Sequence, residues 1–197
     1  VPVYNDEEGI RHCVHALQAQ SYPRDRYEII VVDNGSSDQT ARAAEEEGAT
    51  VLHEREIQGS YAARNTGLAS ANGEIIAFTD GDCTPVADWL IEGVNALNTQ
   101  QADLVSGLVR FAFSRGRSGA EIWDSITNMQ IEDNVTQRNV SKTANLLVRR
   151  NVFDTVGTFP AELKSGGDVI WTGRATSQGF KLVYHAPAEV GHPARGL

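Results

Sequence analysis

The stretch Ile75-Ile76-Ala77-Phe78-Thr79-Asp80-Gly81-Asp82 decides how this chain is read. An apolar run rich in strand-forming residues ends in two carboxylates separated by one glycine. The pattern predicts a buried strand that delivers Asp80 and Asp82 to its C-terminal edge, with Gly81 allowing a sharp bend. In open α/β sheets that edge is where ligands bind. Two carboxylates on one bend suit a divalent cation, and through it a phosphate-bearing substrate.

The residues before this run repeat its logic. Val1 to Tyr4 reads as strand, and Ile10, Val14 and Leu17 recur at helical spacing within a helix over 6–20. Tyr27 to Val32 is a continuous apolar strand that ends in the turn Asp33-Asn34-Gly35-Ser36. An acidic helix follows, capped by Ser36 or Ser37 and closed by Gly48. Thr50 to Leu52 is a short strand and 59–71 a helix. Strand and helix thus alternate four times up to Asp80, the pattern of a parallel, doubly wound sheet.

The remainder is less regular. The expected elements are a helix over 89–97, a long strand over 103–113 and a bend over 115–119. An amphipathic helix over 120–134, a strand over 143–149, helices over 150–156 and 168–178 and a short strand over 181–184 complete the pass. The expectation is one α/β domain over 1–197, in which 1–82 holds a nucleotide and 83–197 supplies metal and acceptor contacts.

Composition narrows the function. The 197 residues are 41% hydrophobic, enough for a sizeable core. Lys and Arg number 17 against 26 Asp and Glu, a net charge of −9, which argues against a nucleic-acid backbone as partner. The two cysteines, Cys13 and Cys83, lie far apart and form no disulfide framework, which points to a reducing, cytoplasmic setting. His12, Cys13 and His15 are better read as a helix surface with one buried thiol than as a zinc cluster. No stretch approaches the roughly 20 apolar residues of a membrane-spanning helix. Both ends look cut: Val1-Pro2-Val3-Tyr4 resembles the tail of a strand, and Gly196-Leu197 closes no element. A longer protein is the expectation.

Two further motifs carry chemistry. Asp33 follows an apolar strand directly, so its carboxylate can accept from a base N–H or a ribose hydroxyl. In Gly59-Ser60-Tyr61-Ala62-Ala63-Arg64-Asn65-Thr66-Gly67, small residues surround one arginine suited to a phosphate or a base carbonyl. There is no glycine-rich dinucleotide fingerprint and no Walker A sequence, so a nucleotide would be held in another way.

Taken in order, Val1-Pro2-Val3-Tyr4-Asn5, Val32-Asp33-Asn34-Gly35-Ser36-Ser37-Asp38-Gln39-Thr40, Ala63-Arg64-Asn65-Thr66-Gly67 and Asp80-Gly81-Asp82 resemble family 2 glycosyltransferases of the GT-A fold. Ser165-Gly166-Gly167-Asp168 and Val190-Gly191-His192-Pro193-Ala194-Arg195 extend the likeness over essentially the whole chain. The resemblance implies a Rossmann-like, mostly parallel sheet with a more irregular acceptor-side half. It implies that Asp33 and Arg64 bind the nucleobase of a sugar-nucleotide donor, with Pro2, Tyr4 and Glu7 lining the same pocket. Asp80, beside Gly81, would face the ribose and metal. Asp82 would ligate Mn²⁺ or Mg²⁺, His192 would complete the metal's ligands, and Arg195 would touch the diphosphate. Asp168 would be the general base that takes the acceptor's proton. Relatives carry an acid where Gly167 stands and another near Ile170 and Trp171, so the likeness is weakest on the acceptor side.

The expected reaction is metal-dependent, inverting transfer of a sugar from a nucleoside-diphosphate sugar to a hydroxyl. A UDP-sugar is favoured over a GDP-mannose-type donor, because Asp33 with Arg64 suits a uracil edge. A nucleotidyltransferase is the competing enzyme, disfavoured by the acidic first loop Asn5-Asp6-Glu7-Glu8. A non-catalytic nucleotide-sugar-binding domain is the competing class. Peripheral contact with a membrane at the cytoplasmic face, through segments outside these residues, is a further expectation.

Overall fold

The structure is a computed structural model that describes residues 1–195. In chain order the elements begin with β1 (Pro2–Val3), α1 (Glu7–Gln18), β2 (Ile30–Asp33), α2 (Thr40–Glu46), β3 (Thr50–His53), α3 (Ser60–Ser70) and β4 (Ile75–Thr79). They continue with β5 (Thr84–Pro85), α4 (Trp89–Thr99), β6 (Leu104–Ser106), β7 (Val109–Ala112), α5 (Gly119–Thr127) and α6 (Ile131–Arg138). The last are β8 (Asn145–Arg149), α7 (Arg150–Val156), α8 (Gly167–Ser177), β9 (Leu182–Tyr184) and β10 (Val190–Pro193).

The first half follows its sequence pattern. Asp6 caps α1 by accepting from the Gly9 amide at 3.0 Å. Ile10, Cys13, Val14 and Leu17, at i, i+3, i+4 and i+7, are all buried. Each such aliphatic side chain contributes roughly 1.5–3 kcal/mol on burial. Strands β1, β2 and β3 pair in parallel, with Val3 opposite Asp33 and Asp33 opposite His53. Ser36 and Ser37 do not cap α2. Ser36 Oγ accepts from the Asn5 amide at 2.9 Å and the Ser37 amide donates to Asn5 Oδ1 at 2.8 Å, so the two turns are sewn together instead.

Strand β4 pairs antiparallel with β8, which pairs antiparallel with β6, and β6 runs parallel to β9. A third sheet joins β7 to β10 in parallel and β10 to β5 antiparallel. The expected long strand over 103–113 is therefore two strands in two sheets. Gly107 marks the break: a Cβ there would lie 1.7 Å from the Ala188 carbonyl oxygen, so the chain must pass that backbone without a side chain. The expected helix over 120–134 is likewise split into α5 and α6, parted at Met129, whose φ is +54°.

Asn145 pins the crossing of the two sheets. Its Nδ2 donates to the Leu108 carbonyl at 2.9 Å and the Ala188 carbonyl at 2.7 Å, and its Oδ1 accepts from Trp89 Nε1 at 2.9 Å. Behind β4 and β8, Phe78, Phe153, Phe159 and Trp171 form an aromatic core, with Phe153 and Trp171 stacked at 4.5 Å.

Candidate active site

Strands and helices from both halves of the chain meet at a cleft of about 630 Å³. Asp80, Gly81 and Asp82 reach it from the turn after β4, His192 from β10, Asp168 from the first turn of α8 and Arg64 from α3. Gly81 serves the site by closeness rather than by an unusual backbone angle. A Cβ there would lie 3.0 Å from both the Pro2 carbonyl oxygen and the Val3 side chain, so the turn rests directly on β1.

The donor atoms of Asp80, Asp82, Cys83 and His192 all lie within 4.8 Å of one another. His192 is 0% exposed. Its Nδ1 sits 2.7 Å from the Pro193 carbonyl oxygen, which makes Nδ1 the donor and leaves Nε2 as an acceptor. That Nε2 is buried without a hydrogen-bond partner, and faces Asp82 Oδ1 across 3.9 Å. A buried polar atom without a partner costs about 1–3 kcal/mol, so its retention needs an explanation. Burial raises the Asp82 pKa above the ordinary carboxylate value, an effect opposed by His192. Burial also pushes the Cys83 thiol well up, leaving carboxylate oxygen and imidazole nitrogen as the available ligands. This donor set fits a divalent cation.

Arg64 is buried and its Nη2 donates to Asp80 Oδ1, while its Nε has no partner. The guanidinium thus holds the first carboxylate of the turn in place and neutralises it. Asp33 is 4% exposed at the end of β2. Its carboxylate accepts from the Ser36 amide at 3.3 Å and lies 3.3 Å from His53 Nδ1.

Asp168 is held on every side. Oδ1 accepts from Tyr61 Oη at 3.1 Å and from the Val169 amide at 2.9 Å, and Oδ2 accepts from the Thr143 amide at 3.2 Å. Tyr61 is raised in pKa, first by burial and then by the Asp168 charge, so it remains a donor. Gly167 permits this contact: a Cβ there would lie 2.7 Å from the Tyr61 ring.

Of the residues singled out from sequence, Pro2, Tyr4, Arg64, Asp80, Gly81, Asp82, Asp168 and Arg195 line this one cleft, and His192 backs it. Glu7 stands apart, 3.4 Å from Arg11 on α1, and Asp6 takes the place beside Tyr4. Asp33 also lies off the cleft lining, behind Asn34. Sequence reasoning passed over Tyr61, Thr143, Lys142 and Lys164. Tyr61 was signalled by its place one turn before Arg64, on the face of α3 that Arg64 shares. Trp171 belongs to the core, and His185 bonds Glu92 at 2.9 Å away from the cleft. A second hollow of about 660 Å³ lies among Ile30, Gly67, Ile76 and Trp89, with mostly apolar walls and none of the cation-binding group.

A family model described as Glycosyl transferase family 2 matches residues 1–159. The chain is 47% identical over 200 residues to the glycosyltransferase AglE of Haloferax volcanii, covering 99% of this chain and 66% of that protein. It is 27% identical to the poly(ribitol-phosphate) beta-glucosyltransferase of Bacillus spizizenii, covering 92% of this chain and 30% of that one. It therefore spans less than two thirds of the curated relatives it matches. Among solved structures, the mannosyltransferase PcManGT of Pyrobaculum calidifontis, in complex with GDP-Man and Mn²⁺, superposes with a TM-score of 0.79 at 25% identity. That match covers 99% of this chain and 56% of the other. TarS of S. aureus gives 0.77 at 22% identity, over 98% of this chain and 35% of that chain, a likeness of fold.

Proposed function

Since the chain belongs to glycosyl transferase family 2, we propose that it transfers a sugar from a nucleoside-diphosphate sugar to an acceptor hydroxyl, with a divalent cation at Asp82 and His192. The observation that carries this reading is the buried, unpartnered His192 Nε2 facing Asp82, on the same cleft as the fully hydrogen-bonded Asp168. Bound there, Mn²⁺ or Mg²⁺ supplies neutralisation of the departing diphosphate.

The chain's own residues do the rest. Arg64 fixes Asp80, which is left one free oxygen to face the cation and ribose. Asp33, at the neighbouring strand end, is proposed to read the base. Asp168 accepts the acceptor's proton as the hydroxyl attacks the anomeric carbon, with inversion. Tyr61 and Thr143 hold its carboxylate at the angle that this needs. Arg195, exposed on the cleft lining, would meet the diphosphate. The free, buried thiols Cys13 and Cys83 support a cytoplasmic setting.

A UDP-sugar is the donor we favour, from the pairing of Asp33 with Arg64 read in the sequence. A GDP-mannose-type donor is the second reading, favoured by the likeness to PcManGT, whose complex holds GDP-Man and Mn²⁺. Calorimetry with UDP and with GDP, each with and without Mn²⁺, separates them. Binding of one nucleotide should strengthen on adding Mn²⁺, and Asp82→Ala should remove that gain, about 100-fold in affinity. Equal binding with and without metal would overturn the cation's role, and tighter GDP binding would overturn the UDP preference.

A further inference from the structure

Helix α5 is built inside out. Its buried side chain is the carboxylate of Glu121, while Ile122, Trp123 and Ile126 face solvent. Those positions share one side of the helix and form a single apolar ridge. The protein holds α5 by polar ties from the other side. Glu121 accepts from the Ser114 amide at 2.7 Å, Ser114 Oγ at 2.9 Å and the Ser118 amide at 2.6 Å. Asp124 accepts from the Arg195 amide and from Asn128 Nδ2, both at 3.0 Å.

Both acids of the helix are thereby turned inward. Arg115 and Arg117, in the bend just before it, are exposed and pair with no carboxylate among the described residues. An apolar ridge bearing a tryptophan, next in the chain to two exposed arginines, one of them stacked over the Phe113 ring, has the chemistry of an anionic membrane interface. The net charge of −9 sharpens the point. An anionic surface repels most of this protein and admits it by this face.

We propose that α5 docks on an anionic lipid bilayer, Ile122, Trp123 and Ile126 entering the headgroup region and Arg115 and Arg117 meeting lipid phosphates. The contact is peripheral: among the described residues no helix is long and apolar enough to cross a membrane. Because α5 runs straight into Asn128 and Met129, which line the cleft, docking brings the cleft mouth to the headgroup plane.

Tryptophan emission tests this directly, because Trp123 is 69% exposed and Trp89 and Trp171 are 1% and 0% exposed. The probe is vesicles of phosphatidylcholine and phosphatidylglycerol, roughly 2:1, with brominated acyl chains. Emission should shift to the blue and be quenched, and weaken when phosphatidylglycerol is left out. Ile122→Ser with Ile126→Ser, or Arg115→Glu with Arg117→Glu, should each lower partitioning by about tenfold. All four positions are exposed, and an unchanged circular dichroism spectrum verifies that the variants fold. Unquenched Trp123 overturns the proposal. So does partitioning of both double variants equal to that of the parent, or a dimer in sedimentation that Ile126→Ser dissolves while vesicles leave Trp123 unquenched.

Discussion

Asp82 and Asp168 face the same cleft and are treated in opposite ways. Around Asp82 the protein leaves needs unmet: burial works against its charge, and the nearest imidazole nitrogen bonds to nothing. Around Asp168 every need is met, by a phenol and two amides. Under the proposed function the difference separates two jobs for one functional group. A carboxylate waiting for a cation must be kept short of partners, because each partner would have to be displaced. A carboxylate that takes a proton in flight must be kept from moving, and partners are how it is kept still.

The sharpest way to break this contrast is Asp168→Asn. It should lower transfer by roughly a thousandfold while donor binding by calorimetry stays put, the reverse of the binding loss set for Asp82→Ala. Transfer within tenfold of the parent would remove Asp168 as the proton acceptor. A smaller change sharpens the same contrast. Tyr61→Phe removes one partner of Asp168 and should slow turnover by about tenfold with KM for the donor unchanged, at a stability cost of about 1 kcal/mol. An unchanged turnover number would mean that Thr143 and Val169 suffice.

The smallest effect concerns a third carboxylate, held more tightly than Asp168. Hydrogen bonds from the Ser114 and Ser118 amides lower Glu121 from an ordinary 4.5 to about 2. A depressed carboxylate contributes stability that is complete above the unfolded value and is lost as pH falls through the folded one. Order in α5 should therefore hold at pH 5 and fade between about 4.5 and 2. Helical circular dichroism of the parent against Glu121→Gln reads it, since the variant should lack that acid transition. A transition identical in both would place the loss elsewhere.

Much of this was legible in the sequence, for a physical reason. β1 through β4 are set by local pattern, since apolar runs ending in an acid or a turn need no distant information to be read. Asp80 and Asp82, just past the end of β4, fall together with Arg64 of α3 in the cleft. The irregular half was read less well because its breaks are tertiary. Nothing local announces that Gly107 must slip past the carbonyl of Ala188, or that Met129 will turn left-handed and part α5 from α6. Strand β10, which carries His192, has a sequence of Val190-Gly191-His192-Pro193 that no strand propensity favours, and forms by pairing with β7. Tyr61 was signalled by its place beside Arg64, but its bond to Asp168, 107 positions away, was not.

Asn145 leaves one more consequence. The chain leaves the sheet of β6 by Leu108 and returns to it at Asn145, and those two points touch through the Asn145 side-chain amide. What lies between them is tied back at several more points: β7 pairs with β10, the Thr143 amide bonds Asp168, the Ser141 amide bonds Thr172 Oγ1 and Asp124 accepts from the Arg195 amide. Within it, the stretch 114–139 adds no strand to any sheet, so its length is the part free to vary. A chimera that replaces 114–139 with the matching stretch of a relative, and keeps β7, Thr143 and Asn145, should therefore hold its fold, which circular dichroism reads.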